Sequence, residues 1–455
     1  MGRHAPDTER TMRMTTEPTR DRRTEVKQPR RRYTSLMGLL FKEEGLRESY
    51  HRQPSGKAVG IDGVNKEDYG RDLVANLGSL SRRLRRLGYR PRASKRVYLE
   101  KPNGGKRPIG IPSFEQRIVE DRLKQILQMI WEPEFRECSY AFRPNRGAHD
   151  ALRRLEEIVL KERTQWVVEA DIKQFFDRLC HQHLMRFIEH RIRDPNLLRI
   201  IQRLLKAGVL EDGAFRASES GTPQGGLVSP VLANIYLHYV LDVWFEVRFA
   251  RGCQGKAHLV RYADDFVACF EEEADARRFE RELKERLGKF ALEVEPTKTA
   301  LMRFGTSAPA RCQQDGDRRP RTLNFLGFTH YLAARGTRTK LGRKTQRERV
   351  NKKLKALGAR LQALRVQGTR AMQEFVRAHV RGHIEYYGVT DNSRRVRTYV
   401  HRAKRLLYLW INRRSQKRSF NWLHFGRWTD QWFPRPRIVH DLRFRRMTSA
   451  GSRMG

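Results

Sequence analysis

The stretch that decides the fold is Leu259-Val-Arg-Tyr-Ala-Asp-Asp-Phe-Val-Ala-Cys-Phe270. Two apolar runs flank a short polar tip, Ala263-Asp264-Asp265, so the pattern reads as strand, tight turn, strand. A second run, Trp166-Val-Val-Glu-Ala-Asp-Ile172, is short, β-branched and followed by a change of pattern. It reads as a buried strand that ends on Asp171. If the two strands lie side by side, three carboxylates converge. Carboxylates that close repel and shift one another's pKa unless divalent cations lie between them. Mg2+ takes a few carboxylate oxygens together with substrate phosphates. Two such ions roughly 4 Å apart stabilise the attacking and leaving oxygens of a phosphoryl transfer. An Asp-Asp pair in a turn is, by itself, ordinary turn chemistry.

Working outward, Lys101-Pro-Asn-Gly-Gly-Lys-Arg-Pro108 is a hairpin turn between strand-like Lys95–Glu100 and Ile109–Ile111. Helical periodicity marks Ser35–Tyr50, Gln116–Trp131 and a segment beginning near Gly147. Gly221-Thr-Pro-Gln-Gly-Gly226 is a loop, and Pro230 opens an apolar helix that reaches Phe249. Glu272–Phe290 is a charged helix, and Thr322–Tyr331 a short hairpin. Beyond Arg343 the pattern is helical, with Val350, Leu354, Leu357, Leu361 and Leu364 on one face of the first helix. The prediction is a mixed α+β body followed by a basic helical bundle.

The 455 residues carry 94 Lys and Arg against 52 Asp and Glu, a net charge of +42. No run of about 18 apolar residues is present, which excludes a transmembrane helix. The N-terminus has charges throughout and no apolar stretch, so no secretory signal is expected and the chain is placed in the cytoplasm. The 5 cysteines form no C-x-x-C pair, so neither a zinc site nor a disulfide framework is indicated. Such a charge attracts polyanions, of which nucleic acid is the commonest in a cell. It is also uneven: Arg335–Gly455 holds 32 Lys and Arg against 6 Asp and Glu, or +26 in 121 residues. A surface that grips a phosphate backbone has this character. Residues 1–32 mix Arg, Thr, Pro and Glu without periodicity and read as a mobile tail.

Several of these pieces form an ordered set. Tyr262-Ala-Asp-Asp265 between two apolar strands resembles the catalytic hairpin of reverse transcriptases, and Glu169-Ala-Asp-Ile-Lys-Gln-Phe-Phe176 resembles their first acidic motif. Gly221-Thr-Pro-Gln-Gly-Gly-Leu-Val-Ser-Pro230 is similar to the loop and helix that support template and nucleotide. Lys101-Pro-Asn-Gly-Gly-Lys-Arg107, Ser139-Tyr-Ala-Phe-Arg-Pro144, Glu295-Pro-Thr-Lys298 and Phe325-Leu-Gly-Phe328 fit further motifs in family order. The resemblance covers roughly residues 33–430 and is to the group II intron reverse transcriptase and maturase family.

That resemblance implies an RNA-directed DNA polymerase with a right-hand fold. Asp171, Asp264 and Asp265 would be its catalytic carboxylates, holding two Mg2+ ions (or Mn2+) with help from the Ile172 carbonyl. Phe176 would sit under the sugar of the incoming dNTP and exclude a 2′-OH by volume. Lys101 and Arg107 would fold over the triphosphate and offset its charge. Gln224 would approach the nucleotide from a loop whose glycines admit close contact. Lys298 would protonate the leaving pyrophosphate, though a solvated surface lysine fits the same letters. Phe325–Phe328 would hold the primer end, or form a plain core hairpin.

Arg381-Gly-His-Ile-Glu-Tyr-Tyr-Gly388 and Lys404-Arg-Leu-Leu-Tyr-Leu-Trp410 resemble the maturase region, which doubles as the polymerase thumb. Solvent-face Arg377, Arg381, Arg395, Arg402 and Arg405 are the expected RNA contacts, whereas His379 and His383 read as helix histidines without a third ligand. Many family members carry a C-terminal nuclease with Cys and His ligands. No Cys follows Cys312, so a member without that nuclease is expected. The chain divides into a basic tail (1–32), a helical extension of the fingers (33–92), fingers and palm (93–330), a helical thumb or maturase domain (331–430) and a basic tail (431–455). Expected partners are structured intron RNA, an RNA template with a DNA primer, dNTPs and a DNA target. Two other readings stay open: an RNA-binding splicing factor without polymerase activity, and a related enzyme recruited to phage defence or spacer acquisition.

Overall fold

A computed structural model describes residues 32–100, 105–211, 214–217, 220–222, 225–316, 319–335, 338–414 and 419–442. Lys101, Gln224, the Arg107 side chain and most of both tails lie outside the described residues. Among these residues the chain opens with helices α1 (Met37–Phe41), α2 (Glu43–Arg52), α3 (Lys66–Arg71) and α4 (Leu73–Arg85). Strands β1 (Ser94–Glu100) and β2 (Lys106–Ile111) form the expected hairpin, and the long helix α5 (Phe114–Trp131) follows. Then come α6 (Ala148–Lys161), β3 (Trp166–Asp171), α7 (Phe175–Arg178), α8 (His181–Glu189) and α9 (Pro195–Leu205). Short strands β4 (Val209–Glu211) and β5 (Ala214–Arg216) precede α10 (Ser229–Leu237).

Next are β6 (Ala257–Tyr262), β7 (Asp265–Phe270), α11 (Glu273–Gly288), β8 (Ala300–Arg303) and α12 (Ala308–Gln314). Strands β9 (Leu323–Phe325), β10 (Phe328–Arg335) and β11 (Arg338–Thr345) lead into helices α13 (Arg347–Leu364), α14 (Thr369–Tyr387), α15 (Ser393–Asn412) and α16 (Trp422–Asp430). The fold is the expected α+β body with a helical C-terminal region. Among the described residues no helix is long and apolar enough to cross a membrane.

Three sheets organise the body, in the orders β2-β1-β4-β5, β6-β7-β3-β8 and β11-β10-β9. The central one is antiparallel, with Asp171 opposite Asp265 and Val167 opposite Cys269. Strand alternation gives it two distinct faces. Val168, Ala170, Phe266, Ala268 and Phe270 turn towards one core, built with α5, α10 and α11. Val167, Val267 and Cys269 turn towards a second core, shared with β9–β11 and the C-terminal helices. Glu169, Asp171 and Asp265 continue this second face to the sheet end, where apolar contacts give way to carboxylates.

The sequence patterns differ from this fold in two places. β11 is charged, Arg338–Thr345, so alternation did not reveal it as a strand. Its inward positions are Leu341, Arg343 and Thr345, and the buried Arg343 stands where an apolar residue is expected. Arg343 bonds to Glu156 on α6, a buried pair that ties the β10–β11 hairpin to the body. The helix opened by Pro230 does not stay α-helical to Phe249, because His238–Asp242 and Phe245–Phe249 are π-helical. An extra residue in the turn redirects the side chains that follow.

The N-terminal helices are pinned by one carboxylate. Asp194 Oδ1 accepts the amides of Asn196 and Leu197 at 3.0 and 3.1 Å, capping α9, with Pro195 at its first position. Its Oδ2 accepts the amides of Leu36 and Met37, each at 2.7 Å, at the start of α1. Each pair of amides lies at a helix start, where the helix itself offers no acceptor. Asp194→Ala is expected to destabilise the protein by about 2–3 kcal/mol, roughly two caps' worth, and Asp194→Asn by less; urea denaturation measures both.

Candidate active site

The site begins with the hairpin β6–β7. Its two-residue turn, Ala263-Asp264, holds Ala263 at φ +59, a left-handed conformation that a β-carbon disfavours. Arg261 holds that turn from below. Its Nη1 donates to the Ala263 carbonyl at 3.0 Å, while Nε and Nη2 donate to the two Asp242 carboxylate oxygens, each at 2.6 Å. Further bonds reach Asn234 Oδ1 at 3.2 Å and Ser139 Oγ at 2.7 Å. Arg261 and Asp242 are both fully buried. Asp242 comes from the end of the first π-helical segment, so the irregular helix supplies the anchor of the turn. Neither residue was singled out from the sequence; Arg261 directly precedes the quoted motif, but its partner is set only by the tertiary fold.

β3 brings Asp171 opposite Asp265, with Asp264 on the adjoining turn. Just beyond β3, the Asp171 carbonyl accepts the Glu295 amide at 2.8 Å, and the Lys173 amide donates to Glu293 O at 2.9 Å. This bridge pairs Ile172 with Val294 through the flanking peptides. The carbonyl of Ile172 is thereby directed away from that segment, towards the side on which β7 lies. The same segment carries the short turn Pro296–Lys298, and Lys298 Nζ bonds directly to Asp171 Oδ2. Asp171, Asp264, Asp265 and Lys298 are thus brought together.

Crowding shows in the acidities. Burial, followed by the charges of Asp171, Asp264 and Glu169, pushes the Asp265 carboxyl up to about 7, against the pull of the Leu326 amide. Glu169, one turn of the pleat below Asp171, is pushed up to about 7 by burial and by Asp171, although it accepts the Asn324 amide at 3.2 Å. Burial pulls Lys298 down, but Asp171 and Asp264 outweigh it and hold its ammonium above the usual range. A set of hard carboxylate oxygens that resist ionising together is chemically suited to divalent cations. Among the described residues, no group of three or more His, Cys, Asp or Glu side chains is gathered tightly enough to chelate an ion unaided.

The walls of the site come from three further segments. α7 carries Phe176, half-buried, its ring edge-on to Phe175 at 5.3 Å. The Phe176 carbonyl accepts the Thr222 amide at 2.8 Å, which docks the Gly221 loop against α7. Gly221 has φ +79, and a β-carbon there would fall 2.7 Å from the Phe176 carbonyl oxygen. Gly225 has φ +122, and its β-carbon would fall 2.3 Å from the Gly110 carbonyl oxygen on β2. Only glycines allow this loop to lie between α7 and the β1–β2 hairpin. β9 and β10 close the other side through the Leu326-Gly327 turn, both residues at positive φ. The Leu326 carbonyl accepts the Tyr386 hydroxyl of α14 at 2.9 Å, so the helical region grips this turn directly. Sequence reading had quoted Glu169 and Tyr386 within motifs without giving either a role.

Arg377 and Arg381 are exposed on α14, and Arg395, Arg402 and Arg405 on α15. Arg402 Nη1 donates to Asn351 Oδ1 at 3.1 Å. His379 and His383 both pack on Tyr399, the first with Nε2 2.7 Å from its hydroxyl and the second stacked at 3.5 Å.

Comparison with known proteins agrees with this geometry. Residues 99–330, just over half of the chain, match the family described as reverse transcriptase (RNA-dependent DNA polymerase). The chain belongs to the reverse transcriptase family, and its α+β body is that family's fold. Its relatives include Protein YkfC of Escherichia coli strain K12, 36% identical over 230 residues, covering 49% of this chain and 60% of that one. The group II intron-encoded protein LtrA of Lactococcus lactis subsp. cremoris is 35% identical over 207 residues, covering 45% of this chain and 34% of LtrA. An uncharacterized 91 kDa protein in the cob intron of Schizosaccharomyces pombe is 39% identical over 152 residues, covering 33% and 18%. The chain therefore matches less than two thirds of the length of these relatives.

The raised acidities have a consequence for stability. An unfolded glutamate ionises near 4.3, whereas Glu169 in the fold ionises at about 7. Its contribution is thus intact below the unfolded value and is lost as pH rises towards 7. In chelator-treated buffer, Glu169→Gln is expected to raise the melting temperature at pH 8 by a few degrees and to leave it unchanged at pH 4. Gains of equal size at both pH values would show that the carboxyl is not held protonated.

Proposed function

We propose that this chain is an RNA-directed DNA polymerase, joining a primer 3′-hydroxyl to the α-phosphate of a dNTP with release of pyrophosphate. The observation that carries the reading is the register of the central sheet, which sets Asp171 opposite Asp265 and beside the Asp264 turn. Two divalent cations, Mg2+ or Mn2+ in its place, would be held by these carboxylates and the Ile172 carbonyl and would neutralise charge on the reacting oxygens. Lys298, bonded to Asp171, would give a proton to the departing pyrophosphate. Phe176 would lie under the sugar of the incoming nucleotide, where its ring leaves little room for a 2′-hydroxyl. Lys101, Arg107 and Gln224 would meet the triphosphate across the fingers hairpin and the Gly221 loop.

A second role, binding structured intron RNA to assist splicing, is supported by the intron-encoded relatives and by the +26 of the last 121 residues. Arg377, Arg381, Arg395, Arg402 and Arg405 would contact phosphates there. In this reading residues 33–92 and 93–330 form fingers and palm, and 331–430 the thumb.

Primer extension on an RNA template tests the chemistry. The wild type is expected to extend the primer, and Asp264→Ala to lose at least about 100-fold in rate while still binding RNA. If neither extends yet both bind structured RNA, the splicing-factor reading takes over; extension by both overturns the carboxylate assignment. The grip on Leu326 gives a separate expectation. Tyr386→Phe keeps the ring stacked 6.0 Å from Phe328 but removes the hydroxyl. It should cost about 1 kcal/mol of stability and raise KM for primer–template several-fold, with KM for dNTP unchanged.

A further inference from the structure

Away from the carboxylates, a cleft of about 600 Å³ opens between the end of α4, the start of β1, α9 and β5. Five cations line it: Arg90, Arg92, Arg199, Arg203 and Lys206. Among the described residues, no carboxylate lines it. The acid on the neighbouring strand β4, Glu211, is engaged elsewhere, by Arg216 and the Tyr98 hydroxyl. Like charges gathered without a counter-charge repel one another, and that cost is relieved when a polyanion lies among them.

Two of these guanidinium groups are held in place. Arg203 Nη1 donates to the carbonyls of Leu87 and Tyr89 at 2.7 and 3.0 Å. Arg90 Nη1 donates to the same two carbonyls at 2.9 and 3.3 Å. Both groups therefore sit just past the C-terminal end of α4, where the partial negative charge of the helix offsets some of their repulsion. A guanidinium has five N–H donors, and these bonds engage one nitrogen of each. Burial, followed by the charges of Arg90 and Arg199, pulls the Arg203 guanidinium below its ordinary value.

The β5 wall is aromatic. Phe215 is 61% exposed on β5. Its ring lies over Gly208, where φ is +69 and an added β-carbon would fall 2.7 Å from the ring edge. Backbone thus supports one side of the ring while the rest meets water. An exposed phenylalanine held beside guanidinium groups is a stacking platform of the kind that single-stranded nucleic acid uses.

We propose that this cleft binds a single-stranded stretch of polynucleotide, its phosphates on Arg90, Arg92, Arg199, Arg203 and Lys206 and one base stacked on Phe215. The site is distinct from the carboxylate site and from the arginines of α14 and α15, none of which lines it. It rests on the reading of the chain as a nucleic-acid enzyme, but not on its polymerase activity.

The test uses the full chain and fluorescent oligo(A), as RNA and as DNA, with anisotropy measured over a series of KCl concentrations. Arg199→Glu/Lys206→Glu should weaken binding by roughly tenfold or more and lower the slope of log K against log salt by about 1.4, two phosphate contacts' worth for a single strand. Phe215→Ala should weaken binding roughly 5- to 100-fold with the slope unchanged. Arg281→Glu/Lys284→Glu, an equal charge change on exposed positions of α11, controls for net charge. Weakening by this control equal to that of the cleft variant, or no loss from Phe215→Ala, overturns the proposal. Losses for RNA alone assign the strand as RNA, and equal losses assign a site that reads backbone and base without the 2′-hydroxyl. Primer extension on a duplex with a one-nucleotide template overhang, run on the same variants, separates this site from the chemistry: binding losses with extension intact are the expected result, and parallel loss of extension and binding would place these residues in the catalytic site instead.

Discussion

The structure depends on one pairing, that of β3 with β7. It sets two carboxylates opposite each other in a sheet built mainly of apolar residues, and repulsion between them has to be borne by the surroundings. The buried side of the sheet bears it. Phe266, Ala268 and Phe270 lock β7 into a closely packed core, while Arg261 clamps the strained turn to Asp242, Asn234 and Ser139. A buried ion pair contributes little net stability compared with apolar packing, because both charges are desolvated. What this one supplies is position. The guanidinium joins the turn, the irregular helix after α10 and the loop at Ser139, so none of the three shifts without the others.

A second joint lies at Leu326. Its backbone is held from two directions: the amide acts on Asp265 and the carbonyl accepts the Tyr386 hydroxyl. The carboxylates and the helical C-terminal region are therefore linked through the backbone of a single residue. Glu169 reinforces this arrangement from beneath, through the Asn324 amide in the middle of β9. Movement of α14 would be felt at β9–β10 before it reached the sheet.

Much of this was legible in the sequence, and what was not follows a physical pattern. The hairpin around Asp264, the strand ending on Asp171 and the Leu326-Gly327 turn are local, each set by alternation and a short polar or glycine-bearing tip. The helix from Gln116 to Trp131 was likewise readable, its start fixed by Ser113, whose hydroxyl accepts the Gln116 amide. The hidden parts are those in which a charged residue faces inward. Arg343 disguised β11, because its partner Glu156 lies 187 residues away. Asp194 reads as an ordinary cap of α9, and nothing near it in sequence reveals that it also serves α1. Arg261 likewise draws its meaning from Asp242, whose direction depends on a π-helical turn. Periodicity detects where apolar residues go; it carries no information about which buried charges meet.

The charge of the chain has to be read with the same distinction. Many of its cations are paired, as Arg143 is with Glu132 and Arg191 with Glu134. Such residues say nothing about polyanions, and a count of +42 overstates what is available to a ligand. The informative cations are those that the fold gathers without an acid, since each additional one raises the energy of the free protein. Among the described residues the cleft between α4 and α9 is such a place; Asp171, Asp264 and Asp265 crowd in the opposite sign, with Lys298 bonded to Asp171. In both, like charges held close together raise the energy of the free protein. Repulsion that the fold maintains against its own stability is therefore the most direct sign of function that this structure offers.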